Sequence, residues 1–134
     1  MLYYKIINFF RDIWWSFRER CQRFKRGYAY VDAWNMFEWF IQTIKPMLVH
    51  LKIHGIGCPM DFNSRDDWCV VIDEMINCLD LMDEDKVYEF YGFDKIEDYK
   101  CMTTEDFQKV YKTMEENKNR FFELFSKYFY DLWD

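Results

Sequence analysis

The amino-acid sequence predicts an all-α fold, a single-domain bundle of about five helices, and three observations carry that expectation. The 134 residues include only 4 Gly and 2 Pro, too few breakers to punctuate the many short strands of a sandwich or barrel. Apolar residues recur at intervals of three and four over long stretches, the period of a helix face. With 51% apolar and 22% aromatic residues, the chain has the large side chains a core needs and is too hydrophobic for disorder. Its length fits one domain, since single cores usually span ~100 to 200 residues.

The first helix is expected from Leu2 to Arg26. Ile6, Phe10, Ile13, Phe17 and Phe24 share a stripe that Tyr4, Trp14, Trp15 and Cys21 widen, and Gly27 stops it. Tyr28 to Val31 reads as an extended connector, with Asp32 as the N-cap of a second helix. There Trp34, Phe37, Ile41, Ile44, Leu48 and Leu51 alternate by three and four, a core face or an oligomer seam. Pro46 removes a backbone donor and predicts a kink near residues 42 to 46, and the helix should end at Gly55 or Gly57. Ser64 with Asp67 resembles a capping box for a third helix, with Trp68, Ile72, Met75, Leu79 and Met82 as its buried stripe. Gly92 divides residues 83 to 102 into two short helical pieces. Thr103 or Thr104 caps the last helix, where Phe107, Tyr111, Met114, Phe121, Phe125, Tyr128 and Leu132 share a face. Trp34 and Trp68 are expected to anchor the core.

Composition narrows the function classes. The five cysteines, Cys21, Cys58, Cys69, Cys78 and Cys101, are odd in number and lack a C-x-x-C pair, a pattern that suits a reducing cytosol better than a secreted disulfide framework. No stretch approaches the ~18 uncharged apolar residues of a membrane span, and the N-terminal stretch is too broken by charge for a signal peptide. Residues 1 to 27 carry seven basic groups against two acidic, +5, whereas the other 107 carry 11 against 22, −11. The expected organisation is therefore a basic amphipathic helix (1–27) attached to an acidic helical body (28–134).

Three constellations are candidate sites. His50, His54 and Cys58 are spaced four and four, so two imidazoles one turn apart could share a metal with a following thiolate. A structural zinc would need a fourth ligand, and the alternative is a pair of histidines favoured by the helix C-terminal dipole. The paired carboxylates Asp66-Asp67, Asp73-Glu74, Asp83-Glu84-Asp85 and Glu115-Glu116 point in different directions on a helix and read as a solvated acidic face. No phosphate loop, H-E-x-x-H pattern or nucleophile elbow is present, so the sequence predicts no enzyme and no cofactor beyond that zinc. The first helix could dock on its own body, lie on anionic lipid, or present Arg18, Arg20, Arg23, Lys25 and Arg26 with Tyr28 and Tyr30 to phosphates and bases.

Several segments also carry a likeness: Arg26-Gly27-Tyr28, Asp32-Ala33-Trp34, the turn from His54-Gly55 to Pro59, Trp68 through Ile72-Asp73-Glu74-Met75-Ile76, and Tyr128-Phe129-Tyr130-Asp131-Leu132-Trp133. Together they resemble a group of small proteins encoded by tailed bacteriophages. That resemblance implies a phage protein in the host bacterial cytoplasm and carries no catalytic residues. The function expected is an accessory protein acting by stoichiometric binding to a host protein, with counter-defence as its most concrete form. Contact would run through Arg18, Arg20, Arg23, Lys25, Arg26 and Tyr28, or through the acidic face at Asp80, Asp83, Glu84 and Asp85. Alternatives are a nucleotide-sequestering module with a basic and aromatic pocket, a metal-assisted enzyme, and a structural or scaffold protein. A homo-oligomer is compatible with each.

Overall fold

In the second half of the chain the sequence places a charged or hydroxylated cap before each apolar stripe, and helices begin at those caps. Ser64 Oγ accepts the Asp67 N–H at 3.2 Å. Asp83 accepts the Asp85 N–H. Thr103 and Asp106 form a reciprocal capping box, with the Thr103 N–H donating to Asp106 at 2.9 Å. Each cap satisfies amide groups that the first helical turn leaves without a partner.

The computed structural model describes residues 2–93 and 101–133, with side chains in the first helix from residue 8 onward, residue 10 excepted. Five α-helices and two single 3-10 turns make up the regular structure of these residues, with no strand among them. The helices are α1 (Leu2–Arg26), α2 (Met36–His54), α3 (Arg65–Asp80), α4 (Glu84–Phe90) and α5 (Thr104–Lys127), and the 3-10 turns are Val31–Ala33 and Phe129–Asp131. The all-α helical bundle is thus what the periodicity indicated, and α1 has the expected limits. The second helical piece expected after Gly92 falls outside the described residues. The chain divides into two compact units, Met1–Phe40 and Ile41–Asp134.

In the unit Ile41–Asp134, α5 is the central element, with α3 and α4 packed on it. The α3 stripe is buried as expected: Trp68, Ile72, Met75, Leu79 and Met82 are all closed from solvent. Phe62, Trp68 and Tyr128 form a ring cluster with centroids 5.1 to 5.5 Å apart, joining the loop before α3 to the end of α5. A smaller cluster pairs Val87 and Tyr88 of α4 with Val110. Cys78 lies in this interior, and burial pushes its thiol up, as desolvation disfavours the thiolate.

The phase of α5 differs from the expectation. Its buried residues are Val110, Phe121 and Leu124, followed by Tyr128 at its cap, whereas Phe107 and Tyr111 are exposed. The first half of α5 carries two adjacent apolar faces, and α4 covers the one bearing Val110. Spacing identifies both faces and cannot choose between them.

The residues of α2 from Ile41 onward are tied to α3 by charge. Lys45 Nζ lies 2.6 Å from Asp80, and Lys52 Nζ lies 2.7 Å from Asp73. Arg65 donates to the Leu51 and Lys52 carbonyls at 3.3 and 2.8 Å, satisfying the last turn of α2. Ile41 and Leu48 of the expected stripe are buried, with Ile44 and Leu51 half-buried.

The unit Met1–Phe40 is organised around the end of α1. Gly27 has a φ of 80°, the left-handed value that glycine adopts without a Cβ penalty. Its N–H donates to the Arg23 carbonyl at 2.8 Å, and the connector folds back along the last turn. Asp32 therefore does not cap α2. It sits in the 3-10 turn, accepts the Ala29 N–H at 2.7 Å and receives Arg23. Trp34 lies outside α2 and is 92% exposed, so the core anchor expected there is absent, and Phe37 is also exposed.

Candidate functional site

The basic end of α1 is brought together, but half of it is already engaged. Arg23 makes a two-pronged contact with Asp32, Nε to Oδ2 at 3.0 Å and a terminal nitrogen to Oδ1 at 2.6 Å. The hydrogen bond from Arg23 and the Ala29 amide hold the Asp32 carboxyl below the usual carboxylate range. Such fork-to-carboxylate pairing fixes geometry as well as charge. Arg26 lies over the rings of Tyr30 and Tyr28, 4.1 and 5.2 Å from their centroids, a cation–π arrangement. The aromatic faces that sequence reasoning assigned to base stacking are thus faced by Arg26 itself. Arg18 lies 5.5 Å from the Trp15 ring, and Arg20 and Lys25 are exposed. Arg18, Lys25 and Arg26 border a shallow dent with Cys21 and Gln22.

The acidic face from Asp80 to Asp85 is largely structural. Asp80 receives Lys45 on both oxygens and Lys86 on one. Burial alone would raise its carboxyl, but the hydrogen bonds from Lys45 and Lys86 outweigh burial and leave it below the ordinary value. Asp83 caps α4, and Glu84 accepts the Tyr88 hydroxyl at 2.9 Å. Asp85 is exposed.

The proposed metal cluster is not assembled. His50 and His54 are neighbours, with ring centroids 4.5 Å apart, as their spacing of four dictates. Yet among the described residues no three His, Cys, Asp or Glu side chains converge to hold a metal ion, so exposed Cys58 does not complete the pair. The helix has ended by then: the Gly55 N–H closes on the Leu51 carbonyl at 2.9 Å, and the loop that follows leaves the helical register.

Sequence reasoning missed a groove of about 540 Å³ in the unit Ile41–Asp134. Ile44, Pro46, Met47, Leu48, His50 and Leu51 of α2 form one wall, and Phe125, Phe129, Leu132 and Trp133 form the other. His50 is its one ionisable lining residue. Met47, Phe129 and Trp133 are 62%, 54% and 73% exposed, so this is an open apolar trough. A signal was present: α2 carries Met47, Val49 and Ile53 outside its main stripe, more apolar surface than one core face requires.

The chain matches no family model, no curated protein and no solved structure. Among the described residues, no helix is long and apolar enough to cross a membrane. The arrangement offers surfaces for binding: an apolar trough with a single imidazole, and a helix end where cations and aromatic rings alternate.

Proposed function

We propose that the protein acts by stoichiometric binding to a host protein, as a bacteriophage accessory factor in the host cytoplasm, with counter-defence as the concrete form. The phage setting rests on the resemblance of the segments around Arg26-Gly27-Tyr28, Trp68 and Tyr128–Trp133. The observation that carries the binding mode is the open groove between α2 and the end of α5. An open trough walled by helices suits an amphipathic partner helix laying anchor residues at i, i+3 or i+4 and i+7, whereas a small ligand is usually enclosed over most of its surface. The residues from Ile41 on carry 11 basic and 20 acidic groups, −9, which favours a partner helix with basic flanks.

The test is affinity capture from infected cells with the intact chain and with Met47→Glu plus Phe129→Glu. Both positions are exposed, so the variant should fold, as circular dichroism would verify. A host protein held near 1:1 by the intact chain and lost from the variant supports this reading. Equal capture by both, or a groove-dependent second copy of this chain in place of a host protein, overturns it.

A further inference from the structure

We infer that α1 is an interfacial helix that lies along an anionic lipid surface. None of the groove residues takes part in this surface, which is independent of host-protein binding. Ile13, Phe17 and Phe24 are spaced four and seven and fall along one side of the helix, and Trp14 adjoins them. All four are half or more exposed. Arg11, Arg18 and Lys25 recur every seven residues, forming a line of cations beside Trp14, and Arg20 flanks the opposite edge near Ile13 and Phe24. Both acids of α1 lie close to arginines: Asp12 to Arg11 at 3.7 Å and Glu19 to Arg23 at 4.0 Å. The helix therefore presents an aromatic ridge between cationic margins with a net charge of +5 over Leu2–Arg26.

That combination selects among occupants. An interfacial helix buries Trp, Phe and Leu at the boundary between headgroups and acyl chains while Lys and Arg extend to the phosphates. A nucleic-acid duplex would use the cations and leave the ridge in water, and a single strand is the competing outcome of the vesicle experiment. A second copy of α1 would cover the ridge but bring +5 against +5. The lipid surface uses both features at once. The acidic remainder of the chain opposes the approach, which makes binding depend steeply on the cations of α1.

The experiment measures binding of the full chain to extruded vesicles by co-sedimentation and tryptophan emission, using phosphatidylcholine alone and with one third phosphatidylglycerol. Association with the anionic vesicles only, weakened as salt rises from about 0.1 M to about 1 M, is expected. Arg18→Gln with Lys25→Gln should weaken it about thirty-fold, by removing two surface cations. Phe17→Ser with Phe24→Ser should weaken it about a hundred-fold or more, with helicity in solution unchanged. Met47→Glu should bind like the intact chain. No association with anionic vesicles at low salt, whether or not a single-stranded oligonucleotide binds instead, overturns the inference. Undiminished binding by the Phe17→Ser, Phe24→Ser chain does the same.

Discussion

The two units use similar apolar patterns to opposite ends. In Ile41–Asp134 the stripe of α3 is closed by α5, and Phe121 is fully buried. In Met1–Phe40 the described aromatics of α1, Phe9, Trp14, Trp15, Phe17 and Phe24, are exposed, and Ala29 is the one buried residue among the described side chains. The contrast teaches that helical periodicity identifies an apolar face and says nothing of what covers it. A face becomes core where a second stripe and its tethering charges lie within reach, as Lys45–Asp80 and Lys52–Asp73 do for α2 and α3. Where the neighbouring chain is a short clasp, as at Arg23–Asp32, no described residue of the same unit closes the face.

The largest effect expected from this contrast lies in the core. Phe121→Ala should destabilise Ile41–Asp134 by about 3 to 5 kcal/mol, since it removes a fully buried ring and leaves a cavity. Phe17→Ala in α1 should change stability by less than about 0.5 kcal/mol, as exposed positions do. Urea unfolding monitored by far-ultraviolet circular dichroism measures both, and comparable losses for the two would mean that Phe17 is as much a core residue as Phe121.

The legible and illegible parts of the fold divide along the same line. The α3 stripe could be read because its apolar residues are separated by polar ones on the opposite side, so only one face could turn inward. The limits of α1 were legible from Gly27, and the starts of α3 and α5 from Ser64 and Thr103, because caps act through neighbouring residues. The phase of α5 was not, because Phe107 and Tyr111 compete with Val110 and only α4 decides. Asp32 was misassigned because its pairing with Arg23 depends on a chain reversal at Gly27. The groove escaped notice because its walls come from residues some eighty positions apart, and spacing within one helix carries no information about the other wall.

A middle-sized effect is expected at Asp80, where two lysines meet one half-buried carboxylate. Asp80→Ala should cost about 1 to 2 kcal/mol, a value reduced for partial exposure. The pH dependence follows from the depressed folded value: the unfolded carboxyl titrates near 3.8, so the contribution is complete above that range and is lost as pH falls through the lower folded value. Acid titration of the intact chain followed by circular dichroism should show this loss, and Asp80→Asn should flatten it. An unchanged acid transition in Asp80→Asn would mean that the two lysines find other partners. Next in size, Thr103→Ala removes the N-cap side of the capping box and should lower stability by about 1 kcal/mol, again read by urea unfolding.

The smallest effect belongs to the clasp at the end of α1. Arg23 is about half exposed, so its pair with Asp32 contributes about 1 kcal/mol or less. That energy is local. Removing it should leave the unfolding of Ile41–Asp134 unchanged and free the connector, because Asp32 also holds the Ala29 N–H and the Tyr30 N–H donates to Gln22 at 2.9 Å. Amide exchange at Ala29 and Tyr30 should quicken several-fold in Arg23→Ala and in Asp32→Ala, with the double variant no faster than the worse single one, since both remove the same contact. Faster exchange in α3 as well would mean that the two units unfold as one.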